Sequence, residues 1–586
     1  MQALSGFFLL EENLVFSAVI CYHYRVDQMK KVLLLILTLL LAGAVWWKLP
    51  KHLDFTEYQA GRIKLYYVKS KALSQRLPAI AAALAANLTS AERELGTSLN
   101  SPLKVYLYND WEEKGSARKE IRIAEADAGE ASIHCMVNET IDGTRERPEY
   151  ILLLQQKYGN PATPERAVYA AAALSGIWNQ KTLREWAEFL LARKLEPPLF
   201  TQQTSVSEFI VTPWSAIFTK FIRDKYGWDA FAQLYKKAQP PAGYEEAWAK
   251  YVAQLQPPRV PEFSFRPEFQ KGISYAYWNS TDGGYPTRKS GESLDLLRKM
   301  GVTWVASIPY GFMRAASAPR LHYPGHDIGG ESDESLFALA ADARAKGMKV
   351  MIKPQIWINH ASWPGKINFS TDQDWNKFMD SYENWIVHYA IISELTRAGL
   401  LCIGTEMVQC TLKKPDRWRR LIARVRQVYH GPLVYASNYG KEFEELTFWD
   451  SLDYIGLDNY YAIRTSEKQG VPEMKQAFIR QKEKIRSVAL RFNKPLLFTE
   501  IGYMANGGAG MGARESDFSD YNETLQAECY RLAMETYWKE PWFSGMYWWK
   551  WFSNPEDQGK EADTHSPHGR AAQAVLRQWY QKGETR

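Results

Sequence analysis

The chain has 586 residues, a net charge of +6 and an aromatic content of 14%, with 22 Trp and 33 Tyr. That length holds about three or four average domains, and the small, dispersed positive charge gives no support to nucleic-acid binding. Cys21, Cys135, Cys402, Cys410 and Cys529 are scattered without a C-x-x-C, which points to neither a zinc site nor a disulfide framework.

In chain order, the first signal is Lys30-Lys31 followed by Val32–Trp47, in which Thr38 is the only polar side chain. A charged start before a short apolar run reads as a signal peptide or an uncleaved signal anchor. Ala42-Gly43-Ala44 offers a small-residue cleavage site, whereas Trp46-Trp47 with Lys48 has the look of an interfacial belt. Residues 1–54 are therefore expected to be a leader that exports the protein or anchors it, placing it in or beyond the cell membrane, on the periplasmic or extracellular side.

Residues 55–256 are expected to form a mostly helical α+β domain with one clear strand, Leu103–Tyr108. Apolar spacing predicts helices over 72–95, 164–178 and 183–195, then a pair, 213–226 and 228–237, broken at Gly227. Gln256-Pro-Pro-Arg-Val-Pro261 opens a proline-rich linker over 257–264.

From Phe265 to the C-terminus the pattern alternates. Candidate strands cover 272–278, 304–310, 349–357, 400–406, 433–439, 454–461, 496–503 and 543–551, with helices such as 293–300, 335–346, 375–397 and 417–429 between them. Eight strand–helix units in this length predict a (β/α)8 TIM barrel, so the fold class is α/β. An open doubly wound sheet is the alternative, but no Gly-rich phosphate loop follows the first strand.

Glu406 and Glu500 close the fourth and seventh of these runs. A carboxylate at the end of a buried strand is expensive to keep unless it is paired or its chemistry is used. In a barrel those two strands face each other across the mouth, and paired carboxylates in a cleft are what glycoside hydrolysis requires. A retaining enzyme sets them about 5–5.5 Å apart, one as acid/base and one as nucleophile. An ion pair with Lys or Arg is the structural alternative for either glutamate. Aromatic side chains around them suit the faces of sugar rings.

The barrel half resembles glycoside hydrolase clan A, and most closely the family 113 β-mannanases. The matching stretches are Gly272-Ile-Ser-Tyr-Ala-Tyr-Trp278, Val350-Met-Ile-Lys-Pro354, Cys402-Ile-Gly-Thr-Glu406, Phe448-Trp-Asp-Ser-Leu-Asp-Tyr-Ile-Gly-Leu-Asp458, Phe498-Thr-Glu-Ile-Gly-Tyr503 and Trp548-Trp-Lys-Trp551. The resemblance implies that Glu406 is the acid/base and Glu500 the nucleophile. It implies that Tyr460 donates to the nucleophile, although the adjacent Tyr461 competes for that place. Trp549 or Trp548 would form the platform beneath the sugar at the cleavage point, and Trp278 would wall the pocket. Lys353 would lie near substrate hydroxyls, or else be a lysine buried against a barrel carboxylate. Thr405 stands where many clan members carry an Asn that bonds the sugar 2-hydroxyl. Asn438 is a candidate for that role, with a helix cap as the alternative. One departure concerns the third strand, where Gln355-Ile-Trp-Ile-Asn359-His360 replaces the family's His and acidic residues. It leaves the reaction type intact and puts the preference for mannan in question.

Residues 55–256 resemble, more weakly, a gluzincin peptidase domain. Such a domain needs His-Glu-x-x-His on one helix. No histidine in the chain is followed by Glu, the corresponding helix reads Arg166-Ala-Val-Tyr-Ala-Ala-Ala-Ala-Leu174, and Glu188 stands without zinc-ligating company. The expectation is a degenerate scaffold without peptidase activity. The sequence thus predicts a retaining glycosidase acting on a β-linked polysaccharide or oligosaccharide of the β-1,4-mannan type, with no metal and no organic cofactor. Its rival is a non-catalytic glycan-binding or assembly protein on a TIM-barrel scaffold.

Overall fold

The computed structural model describes residues 53–118, 121–138, 141–196, 206–255, 257, 263–277, 284–322, 331–359, 362–557 and 565–582. The apolar run Val32–Trp47 and Trp278 lie outside them. Among the described residues no helix is long and apolar enough to cross a membrane.

The first segment carries more strand than its sequence suggested. Strands β1 (Phe55–Ala60), β2 (Ile63–Val68), β3 (Leu103–Tyr108), β4 (Ala124–Asp127) and β5 (Ser132–Met136) form one sheet in the order β1-β2-β3-β5-β4. Gly61 takes the left-handed φ of +59° in the tight turn between β1 and β2. The helix Lys71–Leu95 starts at Ser70, whose hydroxyl accepts from the Leu73 N–H, and it buries Leu73, Leu77, Ile80, Leu84 and Leu88 against the sheet. Helices follow at Glu149–Tyr158, Pro164–Ser175, Leu183–Ala192, Glu208–Lys237 and Tyr244–Gln254, with a short hairpin of β6 (Ile177–Trp178) and β7 (Lys181–Thr182). The expected break at Gly227 is there, with φ +83° inside the long helix. Glu188 pairs with Arg184 at 3.0 Å.

The second segment is a closed parallel barrel. Its strands are β8 (Gln270–Ala276), β9 (Trp304–Ser307), β11 (Lys349–Ile352), β13 (Leu400–Thr405), β14 (Leu433–Asn438), β15 (Ile455–Asp458), β16 (Leu496–Ile501) and β17 (Phe543–Phe552), each paired with the next and β17 with β8. Helices such as Arg288–Lys299, Asp333–Ala345, Asp372–Thr396 and Pro415–Val428 return the chain between them. Gly545, at φ +124°, lets β17 cross β8, because a Cβ there would stand 2.1 Å from the Gln270 carbonyl oxygen. Ala306, Met351, Leu400, Cys402, Val434 and Leu497 fill the lower barrel with apolar groups, and the buried Gln270 at the foot of β8 accepts the Tyr547 hydroxyl there.

Two expected strands are each divided in two. Pro309 and Pro354 have no N–H for the barrel ladder, and beyond them the pairing continues in the same register, through the Gln355 N–H to the Pro309 carbonyl at 3.0 Å, as a parallel ribbon of β10 (Tyr310–Met313) and β12 (Gln355–Ile358). The ribbon stands above the second and third barrel strands.

The helical segment and the barrel share one hydrophobic core, to which Trp186, Phe209 and Trp214 contribute from the first and Leu336, Tyr389 and Val425 from the second. His388 bridges the two, with Nδ1 2.8 Å from the Ser207 hydroxyl and Nε2 2.8 Å from Asp333. Arg193 pairs with Glu394 and donates to the Val428 carbonyl at 3.1 Å. The Phe209 ring sits 5.9 Å from both Phe337 and His388. Removing it in Phe209→Ala is expected to cost about 3–5 kcal/mol. Calorimetry should show both segments melting in one transition at a lower temperature than the parent; two separate transitions would contradict the shared core.

Candidate active site

The fourth barrel strand ends at Glu406, where the backbone takes φ +49°. A non-glycine residue in the left-handed region stores strain and needs surrounding structure to hold it. Here the Glu406 N–H donates to the Ala436 carbonyl at 2.8 Å, and the next N–H, of Met407, donates to the Tyr435 hydroxyl at 2.7 Å. That hydroxyl donates to Glu442 Oε1 at 2.8 Å, which also accepts from the Thr411 hydroxyl at 2.6 Å. Glu442 Oε2 accepts the Asn438 N–H at 2.7 Å. Glu442 is 1% exposed, and burial pushes its carboxyl up to about 7 despite these donors. A buried acid thus ties the residue after Glu406 to the end of β14.

The Glu406 carboxyl points into the cleft between two donors. Asn438 Nδ2 donates to Oε1 at 2.9 Å and the Trp363 indole N–H to Oε2 at 2.7 Å. Burial, and then the charge of Glu500, push the Glu406 carboxyl above the usual range, against the pull of those two donors and of Lys353.

Glu500, on β16, is 7% exposed and accepts on both oxygens. Oε1 takes the Lys353 ammonium and, at 2.8 Å, the Gln355 amide; Oε2 takes the Tyr460 hydroxyl at 3.0 Å. Lys353 is wholly buried and lies 3.6 Å from Asp458 as well. Burial works against its charge, but Asp458 and then Glu500 outweigh that and raise its pKa. Asp458 itself is pushed well up, by burial first and Glu500 second, and accepts the Thr499 hydroxyl at 2.7 Å. Burial and the neighbouring carboxylates also raise the Tyr460 phenol, which keeps it a donor. His565 lies edge-on to Tyr460 at 6.3 Å, and burial holds its imidazole down to about 3, so it is neutral.

The structure therefore brings Glu406, Glu500, Lys353, Asn438 and Tyr460 together. Asn438 caps no helix; its amide is on Glu406. Tyr461 turns away, accepting the Gly440 N–H at 2.9 Å. Trp549 is half-buried above Ala276, Ile308 and Phe552, in reach of the mouth. Trp548 does not belong with them: it is fully buried and stacks on Tyr530 at 3.7 Å, so it cannot serve as a sugar platform. Strand alternation sends one of two adjacent tryptophans inward. Gln355, Trp363 and Asp458 were missed as site residues. Gln355 stood out in the sequence as a polar group near the end of the third run and as a family departure, Asp458 was hidden in a strand run, and Trp363 is in a loop whose sequence says nothing about Glu406.

One other group of potential metal ligands occurs among the described residues, Asp127, Glu130 and His134. Both His134 nitrogens are engaged, at 2.9 Å by Tyr108 and 3.1 Å by Ser132, and Asp127 pairs with Arg118, so the cluster is satisfied as it stands.

Residues 273–570 match the family model described as Glycoside Hydrolase Family 113. The match leaves residues 55–256 outside it, and the peptidase resemblance of that segment finds no support. No curated protein matches the chain. Similar solved structures include a GH113 beta-1,4-mannanase complex, 28% identical over 54% of this chain and 100% of that one, at TM-score 0.48. Another is GH113 beta-mannanase AaManA from Alicyclobacillus acidocaldarius in complex with ManMIm, 26% identical over 53% and 97%, at TM-score 0.46. A Glycoside Hydrolase Family 5 mannosidase from Rhizomucor miehei is 13% identical over 54% and 92%, at TM-score 0.41.

Replacing Lys353 by Met keeps the volume but leaves Asp458 and Glu500 buried without their cation. Chemical denaturation of Lys353→Met is expected to register a loss of about 3–5 kcal/mol; unchanged stability would contradict the central placement of that charge.

Proposed function

The chain belongs to glycoside hydrolase family 113, and on that premise we propose that it is a retaining enzyme cleaving β-1,4-mannan-type or related β-linked glycans. The observation that carries the reading is the unlike setting of the two carboxyls. Glu500 faces the Lys353 ammonium, the Gln355 amide and the Tyr460 hydroxyl, the setting of a carboxylate that attacks. Glu406, raised by burial and by the charge of Glu500, has the setting of an acid that keeps its proton.

In the first step the Glu500 carboxylate attacks the anomeric carbon while Glu406 gives its proton to the departing glycosidic oxygen. The glycone is left as an ester on Glu500. Water then attacks the same carbon, Glu406 takes the water proton, and the Glu500 carboxylate is released. Tyr460 and Gln355 orient the nucleophile, and Asn438 orients the acid/base. The mannan preference rests on the family and on what the similar structures are named for, AaManA among them. Export or anchoring at the membrane is a further proposal, resting on Lys30-Lys31 and the apolar run Val32–Trp47.

Glu500→Gln is expected to abolish the release of reducing ends from β-mannan. In Glu406→Gln, kcat/KM on the polymer should fall by about one-hundredfold to ten-thousandfold. The sign of the pH effect follows from the raised Glu406 carboxyl: activity needs its proton, so it should decline as pH rises through that pKa, and Glu406→Gln should lose this alkaline limb. Wild-type rates in either variant would contradict the assignment.

A further inference from the structure

The ribbon of β10 and β12 does more than support the mouth. Its lower face, with Gly311, Met313, Ile356 and Ile358, is buried, and it lies so close to the helix Asp372–Thr396 that a Cβ on Gly311 would meet the Trp385 ring at 2.8 Å. Both its edges are taken: Phe312 exchanges backbone hydrogen bonds with His322 at 2.5 and 2.9 Å, and Ile358 bridges Ser362. The upper face carries Tyr310, Phe312, Gln355 and Trp357. Phe312 and Trp357 are partners in register and are 41% and 48% exposed. The Tyr310 ring stands 6.5 Å from Phe312 and 6.1 Å from Trp357.

Large exposed apolar side chains among the described residues are otherwise scattered (Phe263, Val471, Ile479, Leu490, Tyr521), whereas Phe312, Trp357 and Trp363 gather at this mouth. Two rigid aromatic rings held open to water on a sheet face that is fixed from below and closed at both edges call for a flat apolar occupant. Gln355 joins that face to the reaction centre, since its amide is on Glu500. Trp357 lies two residues further out, about 6.6 Å along the strand. Tyr310 sits at the same inner end, where burial and the charges of Glu331 and Glu500 raise its phenol.

We propose that Phe312 and Trp357 form a stacking platform, a distal sugar subsite, for a β-linked glycan chain that continues outward from the sugar at Glu500. The proposal rests on the glycosidase reading of Glu500. The C–H faces of pyranose rings would lie on the two aromatic faces, and short glycans would end before reaching them.

The test uses the full-length chain carrying Glu500→Gln, to prevent turnover, with and without Trp357→Ala. Mannohexaose, cellohexaose and mannobiose are titrated calorimetrically. Mannohexaose should bind about tenfold more weakly once Trp357 is removed, while mannobiose changes by less than about twofold. A tenfold loss seen with cellohexaose instead of mannohexaose also supports the platform while removing the mannan preference. Equal losses for hexaose and biose, no loss for either hexaose, or no hexaose binding at all would overturn the platform. Reducing-end release by the unmodified protein is measured separately, so failure of the hydrolase reading stays distinguishable from failure of the subsite.

Discussion

Lys353 sits wholly buried at the top of the barrel, in contact with Glu500 and 3.6 Å from Asp458. Two acids share one cation in this apolar shell, and removing the ammonium would leave the two acids facing each other out of water without a partner charge. The apolar plug beneath them, from Ala306 and Met351 to Leu497, denies the layer any hydration from below. The remaining acceptor capacity of Glu500 is met by Tyr460 and Gln355, so the carboxylate is fixed in direction. The charge of Glu500 then acts on Glu406 across the cleft and, after burial, raises its carboxyl. One buried ammonium thus touches Glu500 and not Glu406, whose partners are Asn438 and Trp363.

The barrel was legible because parallel strands buried on both faces read as continuous apolar runs, and all eight runs correspond to strands of the closed barrel. The strand ends were less legible. Two runs pass through Pro309 and Pro354, where each strand is interrupted but the pairing carries on, through the Gln355 N–H to the Pro309 carbonyl, into the β10–β12 ribbon. In the first segment Phe55–Ala60 fully buries no side chain, so it reads weakly as a strand, whereas Ile63–Val68 does alternate between buried and half-buried positions.

The site was legible where a charged or amide group closed an apolar run, as at Glu406, Asn438 and Glu500. It was illegible where the contact depends on a loop or on side-chain parity. Trp363 follows Ser362, which bridges Ile358, and its indole reaches Glu406, a long-range fact that no local pattern carries. In the run Tyr547-Trp-Trp-Lys-Trp-Phe552 both alternating sets carry aromatic residues, so the sequence could not tell the buried Trp548 from the half-open Trp549. Gln355 drew notice as a departure from family pattern, and its amide lies on Glu500. The departure therefore alters what surrounds the reaction centre without removing any part of it.

The central claim is that Glu500 forms a covalent bond to the glycone. Incubation with a 2-deoxy-2-fluoro-β-mannoside bearing an activated leaving group slows the second step more than the first and lets the ester accumulate. Peptide mass spectrometry is expected to find the fluoromannosyl group on Glu500, with activity lost in step with labelling. A label on another residue, or time-dependent inactivation without any covalent adduct, would contradict the account.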